Sequence, residues 1–149
     1  MQWSVPVLLL SAIPAIVQAG DSSDAAAMLS QLNWEKRVVL VFAPMPQNTL
    51  LRQQQAIFGS TTAELRERDL TIFEIVDQPS RLQVDGQPAS VSAAAFQQLF
   101  QIDPDAFRVF LIGKDGGIKL DQTEVVTAQA LFALIDAMPM RQREMSEDG

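Results

Sequence analysis

The sequence predicts an α/β fold, with one mixed sheet and helices on both of its faces. Apolar runs of strand length alternate with segments whose apolar residues recur at helical spacing, in the order helix, strand, helix, strand, helix, hairpin, helix. A strand–helix–strand succession favours parallel pairing through a right-handed crossover, whereas a hairpin adds antiparallel strands. Together these two units favour a mixed sheet whose two faces are both covered by helices.

Two apolar segments in the first half of the chain have the length and composition of strands. The run 38–43 is continuous and rich in β-branched residues, which suits a central strand covered on both faces. Residues 70–76 form the second strand. Helical spacing of apolar residues predicts helices at 24–32, at 48–58 and, behind the capping-box spacing of Thr61 and Glu64, for one further turn.

Polar residues stand where the first two of these helices begin. Ser22, Ser23 or Asp24 is expected to cap the first helix, and Asn48 or Thr49 the second. Short side chains with an oxygen acceptor are preferred there because they accept hydrogen bonds from the free N–H groups of the first turn.

Turn-forming residues separate the elements of the second half. Pro79, Gly86 and Pro88 predict an irregular loop over 78–90. The remaining predicted elements are a helix at 90–100, a strand at 107–112, a turn at 113–117 leading into a strand at 118–120, and a closing helix at about 127–138 that Pro139 would terminate or kink.

The composition excludes several classes of function. The 149 residues include no cysteine and no histidine, and their net charge is −7. Without cysteine there is no disulfide, thiolate nucleophile or iron–sulfur ligand, and without histidine the commonest general base and metal ligand is missing. An acidic chain with no basic stripe does not suit nucleic acid. We therefore expect no cofactor, no metal and no nucleic-acid partner, and the sequence identifies no catalytic residue.

The first nineteen residues are typical of a secretory signal peptide, although no Lys or Arg precedes their apolar run. Small or aliphatic residues at positions −3 and −1, Val17 and Ala19, predict cleavage between Ala19 and Gly20. The alternative is an uncleaved membrane anchor, which Pro6 and Pro14 disfavour because they interrupt a segment barely long enough to span a bilayer. We expect residues 20–149 to form a single domain, periplasmic or secreted from a bacterial envelope, with no membrane insertion after cleavage.

The segment 38–49 resembles the strand and active-site turn of thioredoxins, in which an aromatic-Ala-Pro-aromatic run precedes Cys-Gly-Pro-Cys. In this sequence the matching residues read Phe-Ala-Pro-Met-Pro-Gln-Asn-Thr. The two cysteine positions fall on Pro46 and Thr49. Thiol–disulfide exchange and thiol peroxidase chemistry need a cysteine at the first of these positions at least, so this chain performs neither.

Two C-terminal segments resemble one family more specifically. They are 110–120 (Phe-Leu-Ile-Gly-Lys-Asp-Gly-Gly-Ile-Lys-Leu) and 135–141 (Ile-Asp-Ala-Met-Pro-Met-Arg), with Glu144 and Met145 behind them. They are similar to bacterial members of the DUDES group, also known as domain-of-unknown-function family 4174. The resemblance, over about residues 28–145, implies a thioredoxin-like fold related to peroxiredoxins. Animal relatives in the extracellular matrix imply an exported compartment, and no activity is implied.

The hairpin turn is one candidate contact site. It presents Lys114, Asp115 and Lys119 close together. The alternative is a plain turn in which Asp and Gly supply the required backbone conformations and solvated lysines protect a sheet edge from unwanted pairing.

The C-terminal segment is a second candidate contact site, through Arg141, Arg143 and Glu144. Together with Asp136, these residues are expected to form a salt-bridged tail folded back on the domain. Methionines nearby provide an adaptable surface for a partner. The alternative is that they only close the end of the core.

Three hypotheses for the function follow. The first is a redox-inert thioredoxin-like module of the cell envelope that binds an unidentified protein or small ligand. The second is an enzyme that uses carboxylate, Lys or Thr chemistry at the positions matching the thioredoxin cysteines. This hypothesis predicts a pocket there, lined by polar groups of which at least one has a shifted pKa. The third is a secreted structural or adhesive domain that self-associates through an exposed apolar patch.

Overall fold

Six strands and six helices form the part of the chain that the computed structural model describes, residues 21–149. The strands are β1 (Arg37–Ala43), β2 (Leu70–Val76), β3 (Arg81–Val84), β4 (Gln87–Pro88), β5 (Arg108–Ile112) and β6 (Ile118–Gln122). The helices are α1 (Ser22–Ser30), α2 (Thr49–Gly59), α3 (Thr62–Glu67), α4 (Ala93–Phe100), α5 (Ala128–Asp136) and α6 (Pro139–Glu147). The expected signal peptide and its cleavage site between Ala19 and Gly20 lie outside the described residues.

The strands form one mixed sheet in the order β4-β3-β2-β1-β5-β6. β1 pairs in parallel with β2 through the α2–α3 crossover and antiparallel with β5, which continues into the β5–β6 hairpin. All seven residues of β1 are buried. The predicted α/β fold, with a βαβ unit followed by a ββα unit, and the predicted central strand are both confirmed.

Each face of the sheet carries its own core, because alternate residues of β1 point to opposite faces. Val39 and Val41 pack with residues of α2, α3 and α5, including Leu131 and Ile135. On the other face, Val38, Leu40 and Phe42 pack with α1 and α4 in a core that includes the aromatic residues Phe73, Phe96 and Phe110. The sheet is therefore fixed between two helical layers, and only its ends and edges are left for function.

The predicted irregular loop at 78–90 is wrong, since β3 and β4 form a hairpin there. Asp85 and Gly86 turn the chain with φ values of 49° and 80°, as a two-residue Asp-Gly turn requires. The Asp85 carboxylate accepts hydrogen bonds from the Ile72 N–H at 2.8 Å and from the Thr71 hydroxyl at 2.7 Å. The turn thereby covers the part of β2 that β3 leaves unpaired.

Helix starts differ in part from the expected caps. Asn48 caps α2 as predicted, accepting the Leu51 N–H at 3.1 Å. The cap of α1 is Asp21, one residue before the expected candidates. Thr61 makes no capping hydrogen bond, because its hydroxyl donates to the Ile57 carbonyl one turn back in α2.

Pro139 ends one helix and begins another. α5 ends at Asp136, in agreement with the termination that Pro139 predicts. The structure adds α6, which has Pro139 at its first turn, where the missing N–H costs nothing. α6 is mostly polar, and Arg141 is its buried residue. Ion pairs rather than an apolar face therefore hold α6 against the domain.

Candidate functional site

The thioredoxin corner, defined as residues 43–49, lies at the C-terminal end of β1. Pro46 is partly buried, Thr49 is exposed at the first position of α2, and Met45 is 49% exposed between them and the strand. The segment contains no ionisable side chain. The backbone N–H groups at the start of α2 could contact a ligand here, but the Asn48 side chain already caps this helix. Residues 43–49 therefore lack both a thiol and an acid–base group of their own.

Charged side chains instead gather at the opposite end of β1, which is about 20 Å away because a strand rises roughly 3.3 Å per residue. We call this group the ionic cluster. It contains four cations, Arg37, Arg68, Lys114 and Arg141, and four carboxylates, Glu67, Asp69, Asp136 and Glu144. Arg37, Lys114 and Arg141 are only 1%, 8% and 2% exposed. Burial of three cations at one site is unusual and requires close pairing.

Glu144 is the centre of the cluster. Its two carboxylate oxygens accept hydrogen bonds from Nη1 and Nη2 of Arg37, each at 3.2 Å, and from Lys114 Nζ at 2.6 Å. Lys114 Nζ also donates to Asp69 at 2.9 Å, and Arg37 Nη1 donates to the Arg68 carbonyl at 2.9 Å. One carboxylate on α6 thus joins the start of β1 to the β5–β6 turn.

Arg141 and Arg68 form the second half of the cluster around Asp136. Arg68 donates to both oxygens of Asp136, at 2.9 and 2.8 Å, and stacks at 4.2 Å over the Phe132 ring. Arg141 donates to Asp136 at 3.3 Å and to the carboxylate of Glu67 at 2.9 Å. These pairs attach α6 to α5 and to α3. The expected salt-bridged C-terminal segment is therefore present through Asp136, Arg141 and Glu144, whereas Arg143 pairs with no residue in 21–149.

Pairing favours the charged forms of Lys114, Glu144 and Asp136 despite their burial. Burial alone would lower the pKa of Lys114, but its hydrogen bonds to Asp69 and Glu144 outweigh this effect and raise the pKa. Burial would raise the pKa of Glu144, yet hydrogen bonds from Arg37 and Lys114 lower it. The hydrogen bonds from Arg68 lower the pKa of Asp136. Each of these three shifts favours the charged form of its group.

A pocket of about 230 Å³, which we call the α6 pocket, opens beside the cluster. Its charged walls come from Arg37, Lys114, Asp115, Lys119 and Arg143. Arg143 is exposed and forms no ion pair with any residue in 21–149. Asp115 and Lys119 pair with each other at 2.9 Å.

The rest of the α6 pocket is apolar. Met138, Pro139 and Met140 line it, at the start of α6. Met138 occupies the cap position of this helix and offers no side-chain hydrogen bond, so the first turn of α6 has no capping acceptor. The pocket thus combines an apolar wall with fixed positive groups.

A second groove, of about 490 Å³, lies between the helices α2 and α3 and the turn of the β3–β4 hairpin. Phe58, Leu65 and Leu70 contribute apolar surface, and Arg66 and Glu74 stand among its polar residues. The groove has no counterpart to the buried cations of the ionic cluster, and we place the candidate site at the α6 pocket.

The structure brings the two predicted contact segments together, although they are far apart in sequence. Lys114 from the hairpin turn meets Glu144 and Arg141 from the C-terminal segment in the ionic cluster. The expectation of a solvated Lys114 is wrong, because two carboxylates draw its ammonium group into the interface between α6 and the sheet. Lys119 remains 35% exposed at the rim.

Sequence reasoning missed four members of the cluster: Arg37, Glu67, Arg68 and Asp69. Arg37 had a detectable signal, because a charged residue directly before the apolar run 38–43 must find a partner or turn to solvent if that run is buried. Arg68 and Asp69 sit in the tight turn between α3 and β2, where Asp69 has a φ of 52°. Nothing in their local sequence indicates the distant partners.

Within residues 21–149, no group of three or more acidic side chains is arranged to hold a metal ion. Over the same residues, no helix has both the length and the apolar character needed to cross a bilayer.

The solved structure of Prx1a, a peroxiredoxin of Plasmodium yoelii, matches this fold with a TM-score of 0.55. The match covers 77% of this chain and 80% of Prx1a at 13% sequence identity. The protein thus has a thioredoxin-like fold, and its sequence contains no cysteine.

The chain belongs to the family described as Domain of unknown function (DUF4174), which it matches over residues 28–144. It is 32% identical to the Sushi repeat-containing protein SRPX of Rattus norvegicus over 125 residues, covering 81% of this chain and 27% of SRPX. It is 27% identical to the Coiled-coil domain-containing protein 80 of Danio rerio over 134 residues, covering 79% of this chain and 16% of that protein. The chain therefore spans about a quarter or less of the length of these relatives.

Proposed function

We propose that this protein is a redox-inert binding module, exported from the cell that makes it, which recognises a protein or small ligand at the α6 end of its sheet. The observation that carries the proposal is the location of its charged groups. The thioredoxin corner has no ionisable side chain, whereas the ionic cluster rigidly positions buried cations beside the α6 pocket. Rigid positioning of charged groups favours selective binding, because little entropy is lost when the ligand arrives.

Trp34 adds an apolar contact at the same end of the molecule. It is 67% exposed, and its backbone has a φ of 70°, a left-handed conformation that a bulky residue rarely adopts. The Trp34 N–H donates to the Lys114 carbonyl at 2.7 Å, which ties its backbone to the β5–β6 turn. Exposed tryptophans are enriched among the residues that dominate binding energy at interfaces.

Catalysis at the corner is the weaker proposal. Thr49 would need an activating base to act as a nucleophile, and residues 43–49 supply none. We therefore assign no catalytic residue.

Export rests on the first nineteen residues and on the extracellular relatives of the family that the sequence resembles. Expression with the leader intact should deliver a protein whose first residue is Gly20 to the periplasm or the medium. Mass spectrometry of the exported product measures this directly. A product that stays in the cytoplasm with Met1 in place would contradict export.

Binding at the α6 end is tested by affinity capture from extracellular fluid with three folded variants. Lys119→Glu/Arg143→Glu reverses the two accessible cations, and Trp34→Ala removes the exposed ring. Lys114 and Arg141 are unsuitable because both are buried. Met45→Asp alters the corner instead and is the matched control. The proposal predicts a captured molecule that the first two variants lose and the control retains; loss only in the control would refute it.

The structural or adhesive alternative has one observation in its favour. Ile118 is 56% exposed on β6, which is an edge strand of the sheet. Exposed apolar edges promote pairing between copies. Light scattering over a concentration series separates the alternatives. The mean molar mass of a self-associating domain rises with concentration, and the Ile118→Lys variant should abolish this rise. The molar mass of a binding module stays constant.

A further inference from the structure

We propose that the α6 pocket binds an apolar carboxylate, either a small free acid or the C-terminal carboxylate of a peptide. This inference rests on the proposed binding function and specifies the chemistry of the ligand. Three independent features of the pocket support it: its charge, its unsatisfied donors, and the shape and polarity of its wall.

The charge balance of the pocket is one anion short of neutral. The four cations in its wall are Arg37, Lys114, Lys119 and Arg143. Their ion-pair partners near the pocket are three carboxylates, those of Asp69, Asp115 and Glu144. This leaves a net charge of +1 in a chain whose overall charge is −7. Arg143 is the cation without a partner in 21–149, so the pocket suits a single negative charge.

Unsatisfied donors lie in the same wall. The α6 helix has nine residues, and no side chain caps its N-terminus, which carries the positive end of the helix dipole. Arg37 is 1% exposed, and its Nε–H has no hydrogen-bond partner among the described residues. A buried guanidinium donor without an acceptor is costly, and an anion bound in the pocket that Arg37 lines reduces that cost electrostatically.

The apolar wall limits what carries the charge. Met138, Pro139 and Met140 face the pocket beside the cations. A strongly hydrated inorganic anion gains nothing from such a wall, whereas an aliphatic side chain does. The volume of about 230 Å³ lies below the roughly 300–1,000 Å³ of pockets that hold drug-sized molecules. A ligand of about one amino acid in size, with an apolar side chain and a free carboxylate, meets these requirements.

Isothermal titration calorimetry on the full chain tests the ligand chemistry with three small probes. N-acetyl-L-leucine carries the apolar group and the charge, N-acetyl-L-leucinamide carries only the apolar group, and acetate carries only the charge. We expect N-acetyl-L-leucine to bind at least about 10-fold more tightly than either of the other two, because charge-assisted hydrogen bonds contribute about this factor. Equal binding of the amide, or no binding of the acid at 10 mM, would overturn the proposal.

Matched variants locate the binding. Arg143→Glu should weaken N-acetyl-L-leucine at least about 10-fold, while Arg52→Glu, an exposed reversal on α2, leaves it unchanged. Met140→Ala should weaken it about 3-fold or more, while Met145→Ala on the same helix does not. These four substitutions leave the ion pairs of the ionic cluster intact, and circular dichroism checks that each variant is folded. Weakening by the controls and the pocket variants alike would contradict binding at this pocket.

Two further probes sort the source of the carboxylate. An acetylated pentapeptide ending in leucine is compared with its C-terminally amidated form. Tighter binding of the free peptide than of N-acetyl-L-leucine supports a protein C-terminus as the ligand, and equal binding supports a small free acid. The outcome is separable from the broader function: a captured partner that N-acetyl-L-leucine does not displace would overturn this inference and leave the binding module intact.

Discussion

Replacement of Glu144 by glutamine should destabilise the fold by about 3 kcal/mol. The carboxylate accepts hydrogen bonds from Arg37 and Lys114, which are 1% and 8% exposed. Removing one partner of a buried ion pair costs roughly 3–5 kcal/mol, because it leaves a buried charge without compensation. In the variant, Arg37 still donates to the Arg68 carbonyl and Lys114 still donates to the Asp69 carboxylate. We therefore expect a loss of unfolding free energy at the lower end of this range.

Glutamine is nearly isosteric with glutamate, so the substitution removes charge without creating a cavity. The assay is urea unfolding of the full chain followed by circular dichroism, with thermal unfolding as a second measurement, in which we expect the midpoint to fall by about 10 °C. Glu147→Gln is the matched control, since Glu147 is an exposed residue on the same helix. A change of less than about 0.5 kcal/mol for E144Q would refute the view that the ionic cluster holds α6 in place.

The remaining predictions concern pH, a buried amide and a helix cap. The pKa of Glu144 is lowered in the fold, so its ionised form stabilises the folded state above the ordinary carboxyl range, about pH 4, and this stabilisation is lost as the pH falls through the lowered pKa. The unfolding free energy of the wild type should therefore drop more steeply with acid than that of E144Q. Parallel curves of unfolding free energy against pH would contradict this. Gln54 is fully buried, and its side-chain amide hydrogen-bonds to both the N–H and the carbonyl of Val126, at 2.8 and 3.0 Å. Gln54→Ala should therefore lower the free energy of unfolding, measured in urea, by about 3 kcal/mol. The control Gln53→Ala, at an exposed position of the same helix, should change it little. Asn48→Ala should cost about 1 kcal/mol through the lost cap of α2 and leave ligand binding unchanged; loss of binding would indicate a site at the thioredoxin corner.

The elements of the sheet were predictable because their signals are local. The run 38–43 is continuous and β-branched, and the structure covers it on both faces as such a run requires. The hairpin β3–β4 was missed although its Asp-Gly turn is a strong local signal, because the flanking prolines and short strands resemble a loop. The helix α6 was missed because it has no apolar face, and apolar periodicity is the signal from which a helix is predicted.

The candidate site was predictable only in part, because its geometry is non-local. Lys114, Arg141 and Glu144 could be selected from their segments, but nothing in either segment indicates that they meet. The buried state of Lys114 depends on Asp69, which is 45 residues away along the chain. Charge pairing between residues so far apart in sequence depends on how α6 packs on the sheet. From the sequence alone, a charged residue is expected to be solvated, because most charged residues are exposed.

We expect recognition to take place at the α6 end of the sheet and not at the thioredoxin corner. The decisive experiment maps backbone amide shifts in the ¹⁵N-labelled full chain during titration with N-acetyl-L-leucine. We expect the largest shifts on residues 113–119 and 138–143, which contribute the walls of the α6 pocket. Shifts confined to residues 43–49, or spread evenly over the surface, would contradict it.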